Sequence, residues 1–208
     1  MGLKVVNLGL PKTGTTTLGR ALRIAGYKAA DHIIAPHRTD DPTIAGKFVA
    51  ELLYRGRFES GDPGALLGEF TALAEISLLL EGRNLWPQMD YGLIQAIRLY
   101  HPDVKFLASS RDPFALSQSM LGWSNLGVSR LPAANVPGLP NGYGSTTKER
   151  TAWIESHYAF LRNIFQGSSQ FLEFDIEDPA APDQIAEFLG CPLPWWGHLN
   201  RNLEYKRA

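Results

Sequence analysis

The stretch Gly9-Leu-Pro-Lys-Thr-Gly-Thr-Thr-Thr17 constrains this chain more than any other. The apolar run LKVVNLG at 3–9 leads into it, and TTTLGRALRIAG at 15–26 leads out. A short, near-continuous apolar run that ends in a turn reads as a buried parallel strand. In the run that follows, Leu18, Ala21, Leu22 and Ala25 repeat at helical spacing, and Gly26 suits a C-cap. A strand that turns through glycines into a helix N-terminus points free N–H groups and the positive end of a dipole at one place. That place suits an anion of the phosphate kind.

Strand and helix patterns alternate along the rest of the chain. YKAAD at 27–31 reads as a short strand. DPTIAGKFVAELLYRG at 41–56 reads as a helix, with Asp41 as N-cap and Pro42 in the first turn. EFTALAEI at 69–76 reads as a strand, although its alanines leave a helix open. YGLIQAIRLYH at 91–101 is helical up to Pro102, and VKFLASS at 104–110 is the clearest interior strand. RDPFALSQSMLGW at 111–123 opens a helix with Asp112 as N-cap and Pro113 behind it. A long amphipathic helix at 147–165, a strand at 170–176 and a helix at 182–190 complete the pattern. The alternation predicts a three-layer α/β/α domain with a mainly parallel central sheet. Residues 124–146 have no periodicity and are rich in Gly, Pro, Asn and Ser; such a segment reads as a lid or acceptor loop, or as disorder.

Length and charge narrow the function classes. A chain of 208 residues suits a single domain. The formal net charge of −1 gives no global field for nucleic acid or a membrane surface, so an anion site is built locally. Cys191 is the only cysteine, which excludes an internal disulfide and a CxxC metal site. No signal peptide or membrane-spanning run is visible, and the expected compartment is the cytoplasm.

The spacing of Gly9 and Gly14 matches G-x-x-x-x-G-K-[ST], but Thr15 stands where that motif has lysine. The loop's lysine is Lys12, ahead of the second glycine. PKTGTTTL instead resembles the 5′-phosphosulfate loop of sulfotransferases, P-K-[ST]-G-T-T, at Pro11, Lys12, Thr13, Gly14, Thr15 and Thr16, with Thr17 where tryptophan is frequent. A second segment, VKFLASSRDPFALSQSM, resembles the family's 3′-phosphate grip, an arginine followed eight residues later by a serine; here these are Arg111 and Ser119, with Ser117 as a weaker candidate. Softer correspondences place Glu75 and Ser77 in FTALAEIS at an Asp-x-Pro motif and His32 in the second-strand segment. His198 and Asn200 fall in the C-terminal Pro-His-x-Asn ending, with Gly197 at its proline.

This resemblance implies a P-loop NTPase-like topology and a sulfuryl transfer from 3′-phosphoadenylyl sulfate (PAPS), leaving PAP, to a hydroxyl or amine of a small-molecule, glycan or lipid acceptor. Lys12 would neutralise the leaving oxygen. Thr16, Thr17 and the backbone amides would hold the 5′-phosphate, and no metal would be required. Glu75 is the first choice as general base, His32 the second and His198 the third. Trp123 and Tyr143 are candidates for the acceptor pocket. His37, His101 and His157 read as structural. A P-loop kinase remains the main alternative, with Glu75 holding Mg²⁺ and Arg111 clamping phosphate, although the lysine position argues against it. A catalytically degenerate nucleotide-binding protein is the third reading.

Overall fold

The computed structural model describes residues 2–80, 82–197 and 199. Five strands, β1 (Val5–Asn7), β2 (Ala29–Ala30), β3 (Ala72–Leu73), β6 (Lys105–Ser110) and β7 (Phe171–Asp175), form one sheet in the order β2-β3-β1-β6-β7. Every pairing in it is parallel. A separate antiparallel hairpin joins β4 (Leu78–Leu80) to β5 (Arg83–Leu85). Six helices accompany the strands: α1 (Thr15–Ile24), α2 (Val49–Ser60), α3 (Tyr91–Tyr100), α4 (Pro113–Leu121), α5 (Thr147–Ile164) and α6 (Ala181–Leu189).

Alternation along the strands builds the three layers. Successive side chains of a strand point to opposite faces. Val5, Ala72 and Leu107 pack on one face with Leu18 and Leu22 of α1 and Ala181 and Ile185 of α6. Val6, Leu73 and Phe106 pack on the other with residues of α2, α3, α4 and α5, among them Leu52, Ile94, Leu116 and Ile154. This is the α/β/α arrangement with a parallel central sheet that the alternation predicts. The strand order runs outward from β1 in both directions, so the crossovers diverge beside it. Ligands of open α/β sheets bind at such a point, outside the carboxyl ends of the strands.

The expected boundaries hold except in three places. The segment expected to be helical from Asp41 begins its helix only at Val49. Asp41 instead closes a turn, accepting from the Thr43 amide at 2.8 Å, and Gly46 breaks the run at φ 75°. The strand expected over 69–76 pairs only at Ala72 and Leu73, because the chain bends away beyond them. Residues 124–146 are folded: a π-helical turn spans Leu126–Arg130, and Leu126, Leu131, Val136 and Leu139 are buried in the larger core. Their anchor is Arg150 of α5, 1 % exposed, which donates to the carbonyls of Gly144 at 2.9 Å and Ser145 at 2.8 Å and to Ser117 Oγ at 2.9 Å. Irregular backbone buried in a core needs partners for its carbonyls, and one guanidinium supplies several.

Candidate active site

The segments after all five sheet strands converge on one cavity of about 1080 Å³. Pro11, Lys12, Gly14 and Thr15–Thr17 come from the loop after β1, and His32 follows β2. Glu75 follows β3, Arg111 and Ser119 follow β6, and Glu177 follows β7.

The loop after β1 is held by side chains beneath it. Asn7 Oδ1 accepts from the amides of Gly9 (3.2 Å) and Ser109 (3.0 Å), while its Nδ2 donates to the Ala74 carbonyl at 2.9 Å. The Thr13 hydroxyl donates to the Leu10 carbonyl at 2.6 Å and meets Ser109 Oγ at 2.8 Å. From α5, His157 Nε2 donates to the Leu8 carbonyl at 2.8 Å and Tyr158 donates to the Ser109 carbonyl at 2.7 Å. Gly9 is required by closeness: a Cβ there would sit 2.3 Å from Ser109 Oγ. Gly14 is required twice over, by φ 77° and by Ile176, whose Cγ1 would lie 2.4 Å from an added Cβ.

This scaffold puts Lys12 at φ 76°, a left-handed conformation that non-glycine residues seldom adopt and that clusters at functional sites. Its ammonium lies 5.1 Å from the Trp123 ring centre. Burial, and then the charge of Arg111, lower its pKa. The α1 N-terminus begins beside it at Thr15, and Gly14 brings no capping side chain. First-turn amides have no acceptor inside their own helix, so they are available to an anion. Thr13, by contrast, is fully buried and does not line the cavity; it shapes the loop from below.

Glu75 is buried, and desolvation raises its pKa although Ser77 and Thr15 donate to it. Its Oε1 accepts from the Ser77 amide at 3.0 Å and the Ser77 hydroxyl at 2.6 Å. His32 is half-buried, edge-on to Phe48 at 5.0 Å. Burial, and then Arg130, lower its pKa. Arg111 donates through Nε to Glu177 Oε1 at 2.9 Å, and its Nη2 pairs with the same oxygen. Ser117 is turned into the core onto Arg150, which leaves Ser119 as the serine of α4 on the cavity. Trp123 lines the cavity, whereas Tyr143 is 55 % exposed and does not. His198 and Asn200 lie outside the described residues.

Among the residues on this cavity that the sequence does not single out are Asp31, Trp86, Arg130 and Glu177. Glu177 had a signal, an acid two residues beyond a strand end. Arg130 had none, because it lies in the aperiodic segment. Among the described residues, no group of three or more His, Cys, Asp or Glu could hold a metal ion, and no helix is long and apolar enough to cross a membrane. The family model described as Sulfotransferase domain matches residues 4–128, more than half of the chain and both anion-directed segments. No curated protein matches the chain.

Proposed function

The chain belongs to the sulfotransferase domain family, and from that premise we propose that it transfers a sulfuryl group from PAPS to a hydroxyl or amine of an acceptor. The observation that carries this reading is the meeting of Lys12, the α1 N-terminus, Arg111 and Ser119 on one cavity. The first-turn amides of α1 with Thr16 and Thr17 would hold the 5′-phosphate. Arg111, with Ser119, would take the 3′-phosphate, sharing or leaving Glu177 when it does so.

In the transfer, the acceptor oxygen or nitrogen forms a bond to sulfur as the bond from sulfur to the bridging oxygen breaks. The electron pair stays on PAP, and the acceptor proton goes to a base. Lys12 would neutralise the charge that develops on the leaving oxygen, a stabilisation realised only in the transition state. Burial, and then Arg111, lower its pKa, and in a partly dry site its charge counts for more.

The base in this reading is His32. It lines the cavity, and its lowered pKa favours the neutral imidazole that a base requires. Glu75, the first choice from the sequence, has its carboxylate engaged by Ser77 and Thr15 and acts through them by fixing Thr15 at the helix start. The folded 124–146 segment, with the hairpin, would form the acceptor wall.

Thermal shift with PAP tests the donor assignment. PAP is expected to raise the melting temperature without magnesium. Stabilisation by ATP with Mg²⁺ and not by PAP would overturn it in favour of a kinase. Transfer from radiolabelled PAPS to an acceptor panel then tests the reaction itself.

A further inference from the structure

We infer that the cavity takes an acceptor bearing its own anionic group beside an apolar body, and that Arg130 receives that group. The word acceptor rests on the sulfotransferase reading; the anion site rests on Arg130 itself.

Arg130 is half-buried and lines the cavity. It donates to the carbonyl of Leu79 and, over a long 3.5 Å, to that of Ser124. Among the described residues no carboxylate pairs with it. The cavity's three carboxylates are engaged elsewhere: Asp31 with Arg23 and Arg38, Glu75 with Ser77, and Glu177 with Arg111. A guanidinium taken partly out of water and bonded only to carbonyls lacks a counter-charge, and an incoming anion supplies one. Burial already disfavours its charge.

The surroundings define the rest of the ligand. Two cations approach the Trp123 ring, Lys12 at 5.1 Å and Arg130 at 5.5 Å from its centre. The cavity therefore offers two positive positions beside one indole. One serves the leaving phosphate, and the other has no such partner. Leu79, Leu80, Trp86 and Leu126 line the cavity on the Arg130 side, an apolar surface for the acceptor body.

A strap between the hairpin and the loop is the competing role for Arg130. That strap exists without it, since Asn84 Nδ2 donates to the Asn135 carbonyl at 2.6 Å. The family match also ends at residue 128, before Arg130, so this contact belongs to the part of the chain beyond the shared donor motifs.

The test is calorimetric titration of the full chain, saturated with PAP, with 2-naphthoate and with its neutral counterpart 2-naphthalenemethanol. Naphthoate should bind at least about tenfold tighter, in keeping with a charge-assisted pair. Arg130→Ala should bring the two to within about threefold, and Arg130→Lys should keep part of the preference. Equal binding of the two probes by the unmodified chain would overturn the inference, as would an undiminished preference in Arg130→Ala. Weakened PAP binding in Arg130→Ala, with the naphthoate preference intact, would reassign the arginine to the donor. If PAP itself fails to bind, the sulfotransferase reading falls. The naphthoate titration on the PAP-free chain still decides whether Arg130 holds an organic anion.

Discussion

The two ends of the cavity are built by different means. At the proposed donor end the start of α1 and the side chains of Lys12, Thr16, Thr17, Arg111 and Ser119 line the cavity, and buried side chains hold the loop from behind, among them Asn7, Thr13, Ser109, His157 and Tyr158. At the acceptor end the contacts offered are side chains, Trp86, Trp123 and Arg130, on a hairpin and an irregular segment. There the backbone is held by scattered side chains, among them Arg150 on the Gly144 and Ser145 carbonyls, Asn84 on the Asn135 carbonyl and Trp153 on the Pro137 carbonyl. In the proposed reading a phosphate has one shape and would be met largely by the fixed amides at the start of α1, which mutation does not remove. An acceptor varies, and side chains on loops can change without disturbing the sheet.

The sharpest way to break this comparison is to remove the one side chain on which the donor end depends for chemistry. Lys12→Ala should lower sulfuryl transfer by on the order of 10²–10³, the scale of losing one preorganised charge partner in a transition state. The melting curve should stay within about 1 kcal/mol of the parent, and PAP should still bind through the α1 N-terminus. Steady-state transfer rates beside a PAP titration check both halves. An undiminished rate would mean that Lys12 only fills the loop.

A somewhat smaller effect, and a different one, is expected at the other end. Arg150→Met keeps much of the volume but leaves the Gly144 and Ser145 carbonyls without a donor. The cost should be roughly 2–4 kcal/mol. Hydrogen exchange should rise first in 124–146, while the loop after β1 stays protected. Uniform loss of protection over both regions would show that the two ends are not held separately.

The same contrast explains what the sequence disclosed. The donor loop was legible because its parts are contiguous: Gly9, Lys12, Gly14 and the threonines act through local backbone geometry. Arg111 and Ser119 were legible for a similar reason, as a strand end and the next helix. Thr13 misled, because a motif states that a hydroxyl is needed without stating which way it faces. The order of Glu75 and His32 also depends on non-local facts, since only packing reveals that Ser77 and Thr15 occupy the carboxylate. Arg130 and Arg150 were invisible; each gains its meaning from carbonyls far along the chain or across a loop without periodicity. The helix expected from Asp41 failed because an Asx turn and Gly46 compete with the helix for the same residues.

The mildest prediction separates the two ends by pH. His157 Nε2 donates to the Leu8 carbonyl, and its Nδ1 is buried with no partner among the described residues. Protonation would put an uncompensated charge there, and burial pushes the pKa down to about 4 against a usual 6.5. The unfolded chain therefore binds more protons between these values, and stability falls as pH drops through that window and rises as pH increases across it. At pH 5 the loss should be about 2 kcal/mol relative to neutral pH. Because His157 supports Leu8, the loop after β1 should lose hydrogen-exchange protection before the segment tied to Arg150. His157→Gln offers an amide donor for the Leu8 carbonyl without a titrating group, so it should flatten this dependence. Its own cost at pH 7 should stay near 1 kcal/mol. An unchanged pH profile in that variant would assign the acid sensitivity to other groups, and the donor end would lose its distinction as the acid-labile one.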